Sequence, residues 1–332
     1  MKAICLGVSG DLEIREVPRP DLPPAGHLLV EIAACAINHG DKFFLQPGST
    51  ASLALAGSRH DIWGASGAGR VVAVGVGVPE EFEGRQVAIY RSLGRGGAVV
   101  GVWSELAQIP YTACVLLPET LSPRDYSGSL VNVFTAYAFL DEIVVAGHKG
   151  VVVTGGTSST GGALVALGRA RGVKVISLVR TAARRDELRG NGIEHVLATS
   201  DAEFDAAFSE LAADLGTTAV FDGIGGDLVS RIAPLLPVNS TIHVYGALAG
   251  LTPVSFPTGL ILRHNLALRR FSNFETATAR DSDRLAAAMS DLATMIAGPM
   301  FRTRIGREFG FDQIAKAMAY EAPPGFKAVL VP

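Results

Sequence analysis

The sequence is poor in cysteine and in charge of either sign. Its 332 residues include three cysteines, 29 basic residues and 32 acidic residues, which gives a formal net charge of −3. The cysteines (Cys5, Cys35 and Cys114) are too few and too scattered for a disulfide framework or a four-cysteine zinc lobe, so each is expected to be a small buried hydrophobe. A weakly acidic chain without a basic stripe is not expected to bind nucleic acid.

The sequence also lacks a long apolar run and a signal-peptide pattern. Gly, Ser or Thr interrupts the apolar stretches before they reach the length of a membrane span. We therefore expect a soluble, cytoplasmic protein without a membrane partner. Hydrophobic residues make up 48% of the chain, and its length allows two domains with their own cores, as in a globular enzyme.

One stretch, residues 149–180, has the pattern of a strand, a tight turn, a helix and a second strand. The valines at 151–153 are typical of a buried parallel strand. A turn rich in Gly, Ser and Thr follows at 155–162, and apolar residues then recur at helical spacing until Gly172 ends the helix. Such a turn lets backbone N–H groups and the positive end of a helix approach a pyrophosphate, which predicts a dinucleotide-binding fold.

This turn differs from the common G-x-G-x-x-G fingerprint, because hydroxyl side chains stand where a glycine is expected. Those hydroxyls are able to donate to phosphate directly. The alternative is a βαβ crossover that binds no ligand. The candidate cofactor ligands in the turn are its glycines and hydroxyl residues: Gly155, Thr157, Ser158, Ser159, Thr160 and Gly161.

Three arginines follow the second strand of this stretch. An NAD site usually has an acidic residue there that binds the ribose hydroxyls. This chain instead has Arg180, Arg184 and Arg185, and no acidic residue stands at that corner. Guanidinium groups bind a 2′-phosphate well, so the sequence predicts NADPH as the cofactor.

The hydrophobic period changes once along the chain. Residues 1–118 contain short strands, predicted at 1–6, 11–17, 28–36, 69–78, 86–90 and 102–110, which are typical of a small barrel-like domain. Strands then alternate with helices, and the strands are predicted at 151–154, 173–178, 195–198, 219–221, 241–245 and 266–271. We expect the tail to return to the first domain. The predicted domains are residues 1–121 with 272–332, which are β-rich, and residues 122–271, which bind the dinucleotide.

Several motifs, in this order, resemble the medium-chain dehydrogenase/reductase superfamily in its zinc-independent quinone oxidoreductase and 2-enoyl thioester reductase branches. They are VEIAACAINHGD (30–41), GASGAGRVVAVG (64–75), GVWSELAQIP (101–110), NVFTAYAFL (132–140), the dinucleotide turn, VFDGIGG (220–226), VYGALAG (244–250) and FPTGLILRHNLALRRF (256–271). The resemblance implies an α/β protein with a Rossmann-type doubly wound parallel sheet and a discontinuous, GroES-like catalytic domain. It also implies a homodimer and a small-molecule substrate.

The positions of the zinc ligands differ from those of the zinc-dependent relatives. Zinc members of the family have Cys where this chain has Asn38, and Gly-His-Glu where it has Gly64, Ala65 and Ser66. An amide, a methyl group and a hydroxyl do not replace thiolate, imidazole and carboxylate ligands, so no metal is expected. The resemblance implies that Asn38 lies beside the nicotinamide. The alternative is an amide that satisfies backbone groups at the end of a strand.

Proton donation is less well specified. Enoyl thioester reductases have a catalytic tyrosine in the loop that corresponds to residues 41–48, and this loop contains none. Tyr90 and Tyr137 are the remaining phenols in segments that line the family's site. Tyr90 is the catalytic candidate, and the alternative for each tyrosine is packing alone. Phe43 and Phe44 are expected to form a substrate wall or ordinary core.

The resemblance assigns further residues to the cofactor. Thr135 lies on the helix that faces the nicotinamide in the family, with an intrahelical hydrogen bond as the alternative. Tyr245, Gly246 and Ala247 end a strand at the edge of the sheet where such folds bind ligands. Lys327 stands where relatives have a basic residue close to the cofactor, and the alternative is a solvated lysine on an edge strand. Asp41 is expected to titrate if it is buried, or to cap a helix or turn.

These observations predict an NADPH-dependent, zinc-independent reductase of activated double bonds, such as those of enones or quinones. In this chemistry a hydride moves from the nicotinamide to the substrate and a proton follows from water or a nearby acid. Two alternatives stay open: a 2-enoyl thioester reductase, and a protein that binds NADPH without catalysis. The strand predicted at 266–271 is expected at a sheet edge and to join the two subunits of a homodimer.

Overall fold

The computed structural model describes residues 1–46, 58–94, 97–250 and 252–332. The contacts divide the chain into two compact units. The first comprises Met1–Val133 and Ala279–Pro332 and is called the β-rich unit below. The second comprises Phe134–Thr278 and is called the dinucleotide unit. One contains a mixed sheet and the other a parallel sheet, which confirms the predicted α/β fold class.

The β-rich unit is organised around strand β3, most of whose residues are buried. This strand pairs with three others, so its two long edges are both used. The larger sheet has the order β14-β15-β3-β4-β5-β7, with β6 also on β3, and β1 and β2 form a separate pair. The strands are β1 (Lys2–Leu6), β2 (Leu12–Glu16), β3 (His27–Ala36), β4 (Ser66–Val74), β5 (Gln86–Tyr90), β6 (Leu106–Pro110), β7 (Cys114–Leu117), β14 (Ile305–Gly310) and β15 (Lys327–Val331).

Two predicted strands of this unit have different bounds, for local reasons. β4 ends at Val74, and the next residue, Gly75, lies very close to Pro24. A Cβ at position 75 would be 2.0 Å from the Pro24 carbonyl oxygen, so only glycine fits where the chain leaves the strand. β6 begins only at Leu106, since Ser104 Oγ donates to the carbonyls of Gly101 (2.7 Å) and Leu106 (2.9 Å) and bends the chain before the strand. The short strand β7 was not predicted; its four residues are all apolar and show no alternation.

In the dinucleotide unit, six parallel strands follow the order β10-β9-β8-β11-β12-β13. This is the strand order of a dinucleotide-binding sheet with its reversal between β8 and β11. All six strands predicted from the sequence are present, with ends shifted by one or two residues. They are β8 (Gly150–Val153), β9 (Lys174–Val179), β10 (Val196–Ala198), β11 (Thr217–Asp222), β12 (Thr241–Val244) and β13 (Ala267–Arg270).

The helices connect these strands and flank the sheet of the β-rich unit. Gly172 has a φ of +70° directly after the C-cap of helix α3, as expected for a glycine that ends a helix. The helices are α1 (His39–Phe43), α2 (Ser129–Val145), α3 (Ser159–Ala170), α4 (Ala182–Gly190), α5 (Phe204–Asp214), α6 (Gly226–Ile232), α7 (Gly259–His264), α8 (Ala277–Arg280), α9 (Ser282–Met295) and α10 (Ile314–Ala319).

A stack of aromatic rings runs through the dinucleotide unit to the carboxyl end of its sheet. The ring of Phe221 lies between those of Phe139 and Tyr245, with both centroid separations at 4.0 Å. Phe271 meets Phe221 edge-on at 5.4 Å. Stacked and edge-on rings contribute about 0.5–1.5 kcal/mol per pair beyond their buried area. The stack therefore fixes the side chain of Tyr245 at the carboxyl edge of the sheet, which is where sheets of this type generally bind ligands.

The cysteines are as expected from the sequence, whereas one helix is longer and more apolar than expected. All three cysteines are buried free thiols, as expected. One helical stretch among the described residues, Pro123–Val145, has the length and hydropathy of a membrane span, and 61% of its apolar window is buried within the protein. A core helix of a globular protein has the same features, so this helix alone does not indicate a membrane protein.

The position of β13 generates a prediction about assembly. β13 lies at one end of the sheet, and its residue Leu268 is 45% exposed. Because an uncovered strand edge offers unpaired backbone groups, we expect a homodimer that pairs at β13. Light scattering at micromolar concentration should give twice the mass of the chain, and Leu268→Glu should shift the mass towards the monomer. Val76→Glu, which changes a valine that is 85% exposed in the β-rich unit, is the control; a monomeric wild type would contradict the prediction.

Candidate functional site

The glycine-rich turn after β8 is built around Ser158, the N-cap of α3. The backbone N–H of Gly161 donates to Ser158 Oγ at 3.0 Å, which satisfies one of the free donors at the start of the helix. Gly155 has a φ of +64°, a conformation that favours glycine. A Cβ on Gly161 would lie 2.9 Å from the Gly155 carbonyl oxygen. Glycine at these positions therefore lets the first turn of the helix pack directly on the loop.

The remaining groups of this turn fit a pyrophosphate. The side chains of Thr157 and Ser159 are half-buried and make no hydrogen bond to the described parts of the chain. They lie next to the N-terminus of α3, a helix of 12 residues whose positive end attracts anions. Gly156 donates its N–H to the Leu178 carbonyl (2.9 Å), which ties the turn to β9. The six candidates therefore lie in one turn at the start of α3, and four of them carry a hydroxyl group.

Tyr245 closes one side of the turn. Its phenol is hydrogen-bonded to the hydroxyls of Ser158 and Thr160, and burial raises its pKa to about 12. Gly223 makes room for it, since a Cβ at this position would lie 2.6 Å from the phenol oxygen. The phenol is therefore neutral at physiological pH. A neutral phenol both donates and accepts hydrogen bonds, as a residue that contacts a cofactor is able to do. Gly246 and Ala247, which directly follow it, are half-buried at the same end of β12.

A buried carboxylate supports the loop opposite the turn. Asp222 ends β11 and accepts hydrogen bonds from Thr154 Oγ1 (2.6 Å), from the N–H of Ile224 (3.1 Å) and from the N–H of Gly225 (3.0 Å). Burial raises the pKa of Asp222, and these hydrogen bonds oppose the rise. The sequence analysis missed this residue. The sequence feature that could have indicated it is the Asp-Gly pair at the carboxyl end of a buried strand. At such a place a short side chain is able to accept hydrogen bonds from the backbone that turns after the strand.

The three arginines after β9 are not equivalent. Arg184 is ion-paired with Glu187, and Arg185 with Asp186 and Asp201. The exposed side chain of Arg180 makes no ion pair or hydrogen bond to the described residues. Arg180 is therefore the guanidinium best able to bind a 2′-phosphate, whereas a phosphate at Arg184 or Arg185 has to compete with a carboxylate.

Two further candidates lie in α2. Thr135 Oγ1 accepts a hydrogen bond from Asn273 Nδ2 at 2.6 Å, so its hydroxyl is held in place by a buried amide. Tyr137 is almost fully buried, and the guanidinium carbon of Arg171 lies 3.9 Å from its ring centroid. The guanidinium of Arg171 over the ring of Tyr137 is a cation–π contact, which is typical of a tyrosine that packs within the protein. These contacts favour a structural role for Tyr137 over a catalytic one.

In the β-rich unit, Asn38, Asp41 and Ser66 form a buried polar cluster. Asn38 follows β3 and is the N-cap of α1, Asp41 lies in the first turn of that helix, and Ser66 is the first residue of β4. Asn38 Nδ2 donates to Ser66 Oγ at 2.8 Å and to Asp41 Oδ2 at 3.1 Å. Nδ2 also lies 3.4 Å from the carbonyl of Ala36, the last residue of β3, so the amide contacts two side chains and the backbone at the end of the strand.

Asp41 is completely buried and holds the chain around Asn38. Its carboxylate accepts the backbone N–H of Asn38 (2.7 Å) and that of Ala65 (2.9 Å). Burial raises its pKa to about 6, although the hydrogen bonds from Asn38 and Ala65 and the charge of Lys327 lower it. Both expectations for Asp41 therefore hold: it is buried with a shifted pKa, and it caps a helix.

Lys327, which is expected near the cofactor, contacts Asn38. Its Nζ donates to Asn38 Oδ1 at 2.9 Å. β15 lies between β14 and β3, so Lys327 is not a solvated lysine on an edge strand. Burial lowers its pKa to about 8, and the charge of Asp41 opposes this shift. The pair Asn38 and Lys327 joins residues 289 positions apart in the sequence.

Tyr90 lies beside this cluster. It ends β5, is 4% exposed, and stands directly opposite Ser66 in the antiparallel register. Residues opposite each other share a face of the sheet, so the phenol and the Ser66 hydroxyl lie on the same side. In the loop expected to hold a tyrosine, Phe44 packs on the core and Phe43 lies edge-on to it at 5.7 Å. Positions 47 and 48 of that loop lie outside the described residues.

The positions of the zinc ligands are occupied by a closed hydrogen-bond network. Asn38 and Ser66 bind each other, and Ala65 offers only its backbone N–H to Asp41. Within the described ranges, no group of three or more His, Cys, Asp or Glu residues is arranged to hold a metal ion. The two positions thus come together in space as the resemblance implies, but with groups that suit each other rather than a metal.

Two family models match the chain. The Alcohol dehydrogenase GroES-like domain matches residues 24–119, and the Zinc-binding dehydrogenase model matches residues 159–290. Together they cover more than half of the sequence. One match lies within the β-rich unit, and the other lies mainly in the dinucleotide unit, where it begins at Ser159 in the turn.

Individual relatives are distant. The human synaptic vesicle membrane protein VAT-1 homolog is 27% identical over 248 residues, which is 73% of this chain but only 60% of that protein. The mitochondrial enoyl-[acyl-carrier-protein] reductase of Dictyostelium discoideum is 26% identical over 281 residues, 80% of this chain and 75% of that protein. A mycobacterial protein solved in complex with NADPH has 24% identity, a TM-score of 0.75 and full coverage of both chains. Other matched structures are of quinone oxidoreductases and an enoyl reductase, and these likenesses establish the fold.

The arginine geometry predicts unequal effects on cofactor affinity. Arg180→Ala should weaken NADPH binding by roughly tenfold to a hundredfold, because a charge-assisted phosphate contact contributes about 1.5–3 kcal/mol. NADH binding should change little. Arg185→Ala is the matched control and should have a smaller effect, since Arg185 is already ion-paired. Calorimetric titration with both cofactors measures this, and equal wild-type dissociation constants would contradict the NADPH assignment.

The network at Asn38 predicts a protein without zinc. Protein purified in the absence of chelator should contain far less than one zinc per chain by elemental analysis, because no suitable ligands converge in the described residues. Asn38→Cys tests the converse. It should raise zinc uptake only slightly, since Ser66 and Ala65 still provide no ligand. One tightly bound zinc per wild-type chain would overturn this account of the site.

Proposed function

Since the chain belongs to the medium-chain dehydrogenase/reductase superfamily, we propose that it is an NADPH-dependent, zinc-independent reductase of activated C=C bonds or quinones. The observation that carries this proposal is the network of Asn38, Ser66 and Asp41, which stands where the resemblance implies zinc ligands in other members. A reductase with this arrangement has to activate its substrate by hydrogen bonds and charge alone.

The cofactor assignment rests on the dinucleotide unit. The turn at 155–161 offers hydroxyls and the N-terminus of α3 to a pyrophosphate, and the exposed Arg180 suits a 2′-phosphate. A structural neighbour that binds NADPH supports the same assignment. When bound, NADPH supplies the hydride. The residues of this chain bind its phosphates, and Thr135, positioned by Asn273, is proposed to bind the carboxamide.

The substrate class is argued from the tyrosine that is missing from the sequence at residues 41–48. A hydride added to an enone leaves an enolate that is stabilised by its own carbonyl, so the reaction needs less help from a positioned acid than thioester reduction does. The enolate of a thioester is less stable and gains more from a nearby acid. General acid catalysis typically raises a reaction rate by about 10²–10⁴-fold. The family's tyrosine has no counterpart in residues 41–48, so enones and quinones are the favoured substrates.

A second candidate, the reduction of 2-enoyl thioesters, is favoured by the position of Tyr90. Its side chain shares a face of the sheet with Ser66, which binds Asn38. A phenol at this place is able to take over the role of the missing tyrosine. The Dictyostelium enoyl reductase among the relatives points in the same direction.

Stopped-flow measurement of NADPH oxidation tests the proposed function. Bound NADPH should be oxidised in a single turnover on mixing with a short enone or a quinone, with one product formed per NADPH consumed. Mixing with buffer alone is the control. Binding of NADPH without oxidation by any enone, quinone or enoyl thioester would show a binding protein instead of a reductase.

The choice between substrate classes is a separate prediction. We expect kcat/KM for a short enone or quinone to exceed that for a crotonyl thioester. Tyr90→Phe should change the enone rate little, and Tyr137→Phe, which alters a tyrosine packed under Arg171, is the matched control. A faster thioester reaction that falls by about tenfold or more in Tyr90→Phe alone would favour the second candidate.

A further inference from the structure

The orientation of the Asn38 amide is determined by its neighbours. Its Nδ2 side faces three acceptors: Ser66 Oγ, the Asp41 carboxylate and, at 3.4 Å, the Ala36 carbonyl. Asp41 is in turn fixed by the backbone N–H groups of Asn38 and Ala65. The amide oxygen must therefore point the other way, towards the ammonium of Lys327 at 2.9 Å. Asn38 has no free amide proton for a substrate.

Lys327 has donors to spare. Its ammonium carries three protons, and one of them is used on Asn38 Oδ1. The described residues provide no other acceptor for the remaining two. The stem lies close over Gly128, where an added Cβ would be only 3.0 Å from Lys327 Cδ. The backbone N–H of Lys327 also donates to the Arg304 carbonyl at 2.8 Å. A positioned ammonium with unused protons is thus the strongest donor of the cluster.

We propose that Lys327 is a catalytic residue that binds the carbonyl oxygen of the substrate and protonates it, while Asn38 and Asp41 position its ammonium. This deepens the proposed function and rests on it. As the hydride forms a bond to the β-carbon, the C=C electron pair moves to form a C=C bond to the carbonyl carbon, and the C=O pair moves to oxygen. That oxygen takes a proton from Lys327 Nζ. The resulting enol isomerises to the ketone in water, and water reprotonates the amine.

The electrostatics of the cluster suit this role. With a pKa of about 8, Lys327 is mainly charged at neutral pH and is a stronger acid than an exposed lysine. Asp41, which lies in α1, favours the charged form of Lys327. His39, on the same helix, has a pKa lowered by burial and by Lys327, and so adds little positive charge. From β3, burial raises the pKa of Cys35 well above its usual value, so the thiol stays neutral.

The primary test compares three lysine variants at saturating NADPH. Lys327→Met should lower kcat for an enone by about 10²–10⁴-fold, while the NADPH dissociation constant stays within about threefold. Lys327→Arg keeps the charge and a hydrogen bond to the carbonyl oxygen but does not release a proton, so it should recover only part of the rate, with the proton coming from water. Lys316→Met, which changes an exposed lysine of α10, is the matched control and should behave as wild type. Circular dichroism and the thermal midpoint show whether each variant is folded.

The pH profile provides a readout that a structural lysine would not change. The wild-type kcat should fall as pH rises through about 8, because Lys327 loses the proton that it donates. This alkaline limb should disappear in Lys327→Arg, whose guanidinium stays charged. In Asp41→Asn the limb should move to lower pH, since the carboxylate that favours the charged lysine is gone.

The outcomes separate the two proposals. A wild type that reduces enones while folded Lys327→Met keeps its kcat overturns the role of Lys327 alone. A rise in the NADPH dissociation constant with unchanged kcat would mean that Lys327 binds the cofactor, which also overturns it. A wild type that binds NADPH but reduces no substrate contradicts the proposed function, and the catalytic role of Lys327 is rejected with it. Loss of the alkaline limb together with kcat supports the proposal.

Discussion

The buried carboxylate of Asp41 is the interaction on which the polar site of the β-rich unit depends. It joins the end of β3, the first turn of α1 and the chain before β4 by accepting from Asn38 and Ala65. A carboxyl without exposed surface is costly unless it is hydrogen-bonded, and these donors compensate for the loss of water. Because Asp41 also takes the Asn38 amide, it decides which way that amide points, and through it where the ammonium of Lys327 rests.

The dinucleotide unit uses the same device at a different place. Asp222 is buried at the carboxyl end of β11 and collects donors from Thr154 and from the loop that follows. In both units a short, buried acidic side chain organises the backbone just after a strand: Asp222 is the last residue of β11, and Asp41 lies in the first turn of α1, which follows β3. The difference lies in the surroundings: Asp222 has no cation near it in the described contacts, whereas Asp41 is coupled to Lys327. Asp222 therefore stabilises the local backbone conformation only, whereas Asp41 also favours the charged form of Lys327.

The sequence predicted the parallel sheet well because buried strands of β-branched residues alternate with helices, a pattern that one chain segment expresses by itself. It also predicted a turn between β8 and α3, which the structure contains, and its role in binding phosphate stays a prediction. What it could not predict are contacts between distant segments. Nothing near Lys327 indicates that its partner is Asn38, and nothing near Arg185 shows that Asp201 binds it. The membership in a superfamily was confirmed, whereas the roles of individual residues stay predictions.

The close approach of Tyr245 to Gly223 has a consequence for how this sequence can diverge. A methyl group at position 223 would lie 2.6 Å from the phenol oxygen and 2.7 Å from the ring carbon that bears it. Removing the hydroxyl alone would not relieve the second contact, so Tyr245→Phe does not make alanine acceptable at 223. The ring has to be replaced by a shorter side chain first. The two positions therefore form an ordered pair in evolution, in which 245 must change before 223 is free to drift.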